Sequence, residues 1–125
     1  MTDAEQRLFT LAEASDLLPT VVPLVEQLRD AQAAMEEIQE EVMTSVPTNG
    51  GGRVHRAYQD AASSASEALQ ELTEMGIIVR APDSGLIDFP SERDGQIVYL
   101  CWRLGEDQIA WWHPPETGFA GRQPV

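Results

Sequence analysis

Ala68-Leu69-Gln70-Glu71-Leu72-Thr73-Glu74-Met75-Gly76-Ile77-Ile78-Val79 is the stretch in which the chain changes its periodicity. Upstream of Gly76, the apolar residues Val54, Tyr58, Ala61, Ala65, Ala68, Leu72 and Met75 recur at alternating steps of four and three. That is the heptad spacing of one helix lying along another. Downstream, the β-branched run Ile77-Ile78-Val79 opens a region of period two. Gly76 suits the left-handed position just past a helix end. The reading that follows is an α+β fold, helical before the glycine and stranded after it.

Toward the N-terminus lies a second heptad segment: Val21, Leu24, Leu28, Ala31, Met35, Ile38 and Val42. A helix of ~25 residues makes a rod of about 40 Å. Val46-Pro47-Thr48-Asn49-Gly50-Gly51-Gly52 separates the segments and reads as a helix stop and a flexible turn. Together they predict a long, coiled-coil-like antiparallel hairpin. The small Ala61, Ala65 and Ala68 allow close approach, and Leu28, Met35 and Ile38 fill the space opposite. A short helix is expected ahead of it. Thr10 and Glu13 form a capping box, with Phe9 in the staple position. Pro19 is expected to end or kink that helix. Thr20 then caps a new start, with Pro23 in its first turn.

Toward the C-terminus, Pro82-Asp83-Ser84-Gly85 is a turn, and Leu86–Phe89 is a strand ended by Pro90. Ser91 to Gly95 turn again. Gln96–Leu104 is the longest strand, with Ile97, Tyr99, Cys101 and Arg103 on one face and Val98, Leu100, Trp102 and Leu104 on the other. Gly105 to Asp107 turn, Gln108–His113 is the last strand, and Pro114-Pro115 stops it. Glu116–Val125 is a tail, of which residues 116–123 are expected to fold back on the meander, burying Phe119 and pairing Arg122 with Asp88 or Glu106. The expectation is a small three- to four-stranded antiparallel β-meander covered by the helices. The whole of 1–125 reads as a single domain, with 1–76 the hairpin portion and 77–125 the meander and tail.

The 125 residues include 21 acids and eight basic residues, all arginine, for a net charge of −13. Phosphate-backbone binding needs clustered cations, so no nucleic acid partner is expected. No apolar run reaches the ~20 residues of a membrane span, and the acidic start Met1-Thr2-Asp3-Ala4-Glu5 has no signal-peptide core. The lone Cys101 excludes an internal disulfide and points to a reducing, cytoplasmic setting. The charge is concentrated in residues 1–76, whereas residues 77–125 hold all three tryptophans.

Four clusters carry a family resemblance. They are Gly85-Leu86-Ile87-Asp88-Phe89-Pro90, Leu100-Cys101-Trp102-Arg103-Leu104-Gly105-Glu106, Trp112-His113, and Gly118-Phe119-Ala120-Gly121-Arg122-Gln123-Pro124. With Phe9-Thr10-Leu11 and Leu17-Leu18-Pro19 they resemble a bacterial family of unknown function, domain family number 2203. The resemblance spans nearly the whole chain and implies no activity for any residue, so the chemistry must be argued from the side chains.

Asp88, Glu106 and His113, with Cys101 as a sulfur donor, form a candidate site for a divalent metal, because zinc needs three or four such groups from different elements. No short signature accompanies them. A Cys101–His113 nucleophilic pair is the weaker alternative, since no glycine-rich elbow adjoins Cys101. Trp102, Trp111 and Trp112, with Arg103 and Arg122, are candidates for a ligand or partner surface. Gly50-Gly51-Gly52-Arg53 lacks the preceding strand of a phosphate loop and reads as the hairpin turn. Glu36, Glu37, Glu40 and Glu41 make a solvated acidic face. Two functional readings result. One is a non-catalytic interaction or scaffold protein that forms a homodimer through its helices. The other is a metal-binding protein or small metal-dependent enzyme with its site in the meander.

Overall fold

The computed structural model describes residues 7–44 and 51–125. Helix α1 runs Leu11–Thr44 and helix α2 Gly51–Glu74. Strands β1 (Ile78–Ala81), β2 (Leu86–Arg93), β3 (Gln96–Arg103), β4 (Trp111–His113) and β5 (Gln123–Pro124) follow, with a 3-10 turn at Gly118–Gly121 ahead of β5. The fold is α+β: two packed helices and an antiparallel sheet in the order β1-β2-β3-β4-β5. No helix among the described residues is long and apolar enough to cross a membrane.

The capping box forms as read. Glu13 N donates to Thr10 Oγ1 at 3.0 Å, and Thr10 N donates to Glu13 Oε1 at 2.9 Å. The short first helix does not exist as a separate element, because α1 continues through Pro19 and Pro23. Each proline removes an N–H, leaving the carbonyls of Ser15 and Pro19 without helical donors. Both prolines are exposed, so water can serve those carbonyls, while Ala14, Val21 and Val25 are buried. Packing on the buried side holds the two halves in one helix. The expected inter-helix turn falls partly on 45–50, outside the described residues; Gly51 and Gly52 belong to α2.

At the sheet end of the hairpin the expected seam residues Val21, Leu28, Ala68 and Leu72 meet, whereas Leu24 is only half-buried and Val25, off the expected seam, is buried. Val21, Val25, Leu28, Ala68 and Leu72 form one core with Ile77, Ile87, Phe89, Leu100 and Trp102. Phe9 joins it and meets Phe89 edge-on, with ring centroids 5.3 Å apart.

Strand β2 does not stop at Pro90 but runs to Arg93. Strand β1 accompanies β2 only as far as Asp88. Beyond that, the free edge of β2 meets the segment ahead of α1, where Phe9 N donates to Pro90 O at 2.7 Å and Ser91 Oγ donates to Phe9 O at 2.6 Å. Proline is tolerated because the N–H it lacks belongs to that edge, where no strand asks for it. The β2–β3 turn is only Asp94-Gly95, with φ of 52° and 79°, the tight type I′ hairpin turn that Asp-Gly favours.

The sheet has one strand more than the expected maximum. Gln123 and Pro124 pair with Trp112 and Trp111, so the tail supplies β5. The last predicted strand shortens to Trp111–His113, and Leu104 lies beyond β3.

Candidate metal centre

The sheet alternates. Ile87, Phe89, Leu100 and Trp102 point toward the helices, which leaves Asp88, Tyr99, Cys101 and His113 on the opposite face. The tight Asp94-Gly95 turn sets the register of β2 on β3 and places Asp88 directly opposite Cys101. His113, on β4, is paired with Tyr99, two residues along β3 from Cys101. Three donors remote in sequence therefore reach one spot. The oxygen, nitrogen and sulfur donor atoms of Asp88, His113 and Cys101 all lie within 4.8 Å of one another, and all three residues are buried.

Asp88 Oδ2 accepts Arg80 Nε at 2.8 Å and shares a 2.9 Å hydrogen bond with His113 Nε2. Its other oxygen, Oδ1, is buried with no hydrogen-bond partner. Leaving a buried acceptor unsatisfied costs about 1–3 kcal/mol, so this oxygen calls for a partner. His113 Nδ1 donates to Pro114 O at 2.9 Å, which fixes the ring and assigns Nε2 to the cluster. Burial, followed by the charge of Asp88, pushes the Cys101 thiol up to about 12, against a partial opposing pull from Arg122. The Asp88 hydrogen bond raises the pKa of Arg80, opposed by burial.

Above the three donors is a cleft of about 310 Å³, walled by Arg80 and Leu86 from the sheet and by Pro115, Glu116, Thr117, Gly118 and Phe119 from the tail. The tail thus walls a cleft over the face that the helices leave uncovered. Phe119, expected to be buried, is 41% exposed beside this cleft.

The other candidate residues lie elsewhere. Glu106 is outside the cluster. Its carboxylate accepts Arg103 N at 2.9 Å, and Arg122 Nη2 donates to both its oxygens at 2.9 and 2.7 Å. Arg122 thus pairs with Glu106 and not with Asp88. Trp102 is 2% exposed, within the core, and its Nε1 donates to Glu106 O at 3.1 Å, so it offers no surface to a ligand. Trp112 packs against the core, with the Arg93 guanidinium 4.6 Å from its ring centroid. Arg122 covers Trp111 at 5.2 Å, and Arg103 lies 5.0 Å from the Phe119 centroid. Sequence reasoning missed Arg80. Its one signal was a charge closing the β-branched run Ile77-Ile78-Val79 just before a turn. A Cys101 nucleophile is disfavoured, because a thiol held up near 12 is protonated at neutral pH.

The four clusters that carry the family resemblance meet here: Asp88 comes from the first, Cys101 from the second, His113 from the third, and Gly118 and Phe119 from the fourth. No curated protein and no solved structure matches the chain. A family model described as uncharacterized conserved protein (DUF2203) matches residues 7–125, and the chain belongs to that family.

Proposed function

We propose that this protein binds a divalent transition metal of zinc's class through Asp88, Cys101 and His113. The carrying observation is Asp88 Oδ1, a buried carboxylate oxygen with no hydrogen bond, set within a cluster of one oxygen, one nitrogen and one sulfur donor. Mixed N, O and S ligation suits zinc and its neighbours. Donor contacts in a zinc site are about 2.0–2.3 Å, so the cluster closes inward by small side-chain rotations. Oδ1 is the free donor. His113, oriented by Pro114 O, brings Nε2, which would exchange its hydrogen bond to Asp88 Oδ2 for the ion. Arg80 holds Oδ2, the kind of outer-sphere support that ligating carboxylates receive. Cys101 would release its proton to solvent on binding, because metals bind the thiolate. Glu106 is not part of the set.

Elemental analysis tests this on protein purified without chelator or affinity histidines. The expected result is one equivalent of metal per chain, lost in Asp88→Ala and Cys101→Ser and kept in Glu106→Gln. Metal-free protein whose melting temperature ignores added zinc overturns the reading.

A second reading is an interaction protein that forms a homodimer through its helices. It draws on the end of α1 far from the sheet, where Val42 is 57% and Met43 84% exposed. Light scattering decides it, and a monomer mass at tens of micromolar rejects it. Both readings place a single domain in a reducing, cytoplasmic compartment, where one thiol stays reduced.

A further inference from the structure

We propose that the cleft above Asp88, Cys101 and His113 takes a small organic monocarboxylate, held between the metal and the Arg80 guanidinium. This rests on the metal reading above. Three protein donors leave a tetrahedral ion one open position, and the cleft of about 310 Å³ is the space over it.

Arg80 supplies the second contact. The pairing of β1 with β2 shifts between Val79, opposite Ile87, and Ala81, opposite Leu86, so Arg80 sits at the irregularity. Bulges of this kind re-aim a side chain. Its Nε is committed to Asp88, and its guanidinium carbon lies 5.0 Å from the Tyr99 ring centroid. Tyr99 interacts only weakly with that guanidinium, so pinning through Nε still turns terminal N–H groups to another oxyanion, in the fork geometry that matches a carboxylate. The Arg80 side chain is 42% exposed and lines the cleft.

Charge and shape narrow the ligand. A divalent ion, a thiolate, the Asp88 carboxylate and Arg80 sum to one positive charge. Glu116, also lining the cleft, repels a second negative charge. A monoanion fits better than a phosphate dianion. Leu86 and Phe119 give the cleft an apolar wall, and Phe119, 41% exposed beside the Arg103 and Arg122 guanidiniums, keeps some ring surface to pack on a ligand's hydrocarbon part.

The test uses the full chain loaded with cobalt(II), whose visible spectrum reports coordination, and phenylacetate as the probe. Saturable change of the spectrum by phenylacetate is expected, with phenylacetamide and inorganic phosphate each about tenfold weaker or worse. Arg80→Gln, which also loses the outer-sphere bond to Asp88, should need more cobalt to load. Once fully loaded it should bind phenylacetate about tenfold more weakly, with Arg80→Lys in between. Equal binding of phenylacetamide overturns the proposal without any variant. So does phosphate binding as tight as phenylacetate, or unaltered phenylacetate affinity in a folded Arg80→Gln protein. Cobalt uptake with a spectrum indifferent to phenylacetate removes this inference and leaves the metal site standing. Failure to take up cobalt removes both.

Discussion

His113 closes on Asp88 from two strands away, with Nε2 2.9 Å from Oδ2, while Oδ1 of the same carboxylate is buried and unpartnered. Oδ2 of Asp88 thus takes the hydrogen bonds of both Arg80 and His113, and Oδ1 takes none. The carboxylate lies on the sheet face turned from the helices, yet it is as fully buried as the core, beneath Arg80 and His113 and at the floor of a cleft walled by the tail from Pro115 to Phe119. The two layers do different work. The helices bury apolar area on one side of the sheet, and the tail walls a cleft over polar groups on the other.

Asp88→Asn keeps the shape and removes the charge. Arg80 then loses a charge-assisted partner, although its partial exposure lets water replace it. The expected loss is about 1–3 kcal/mol in urea denaturation, together with loss of metal uptake. An unchanged midpoint would mean that the Asp88 contacts contribute nothing net.

Cys101 should resist a water-soluble disulfide reagent at pH 8 in the metal-free native protein and react at once in urea. Its titration also gives stability a sign. The folded thiol is held up near 12 against an ordinary value of 9.0, so between those values the unfolded chain carries fewer protons than the folded one. Stability should therefore be unaffected by this group below about pH 9 and fall as pH rises toward 12. Comparing denaturation midpoints of the unsubstituted chain and Cys101→Ala at pH 8 and pH 10 checks it. The fall should be smaller in the variant.

Arg122→Ala should loosen the tail. It removes the contact with Glu106 and the guanidinium over Trp111 and Phe119, at 5.2 and 4.6 Å from their centroids. A cost of about 1–3 kcal/mol is expected, with faster proteolysis after Pro115 and red-shifted tryptophan emission. Proteolysis as slow as in the unsubstituted chain would show that β5 alone holds the tail.

Gly95→Ala isolates the hairpin turn. A Cβ there would meet nothing within 4 Å, so its effect comes from the backbone at φ 79°. The expected cost is about 1–2 kcal/mol, seen as a lower thermal midpoint, with metal affinity retained if the register survives. Retained stability with lost metal affinity would point instead to a shifted β2–β3 register.

The heptad spacing on both sides of the hairpin, the switch of period at Gly76 and the Thr10–Glu13 capping box determine the helices, the α+β class and the core face of β3, because these are local or periodic properties of the chain. The pairing of Asp88 with Cys101 was also within reach. Asp94-Gly95 is a two-residue hairpin signal, and counting outward in pairs from Arg93 and Gln96 brings those two residues opposite each other. Pro90 masks it, because a proline reads as the end of a strand and makes Ser91–Gly95 look like one turn. Only the tertiary structure showed why Pro90 is tolerated: the segment at Phe9 runs along that edge of β2 in place of a strand. It alone joined the two proline-separated pieces of α1, because side-chain packing outweighs two missing hydrogen bonds on an exposed surface. It alone separated Glu106 from the metal candidates, since which carboxylate Arg122 meets depends on where the tail lands. That landing rests on contacts between residues far apart in the chain, which periodicity does not record.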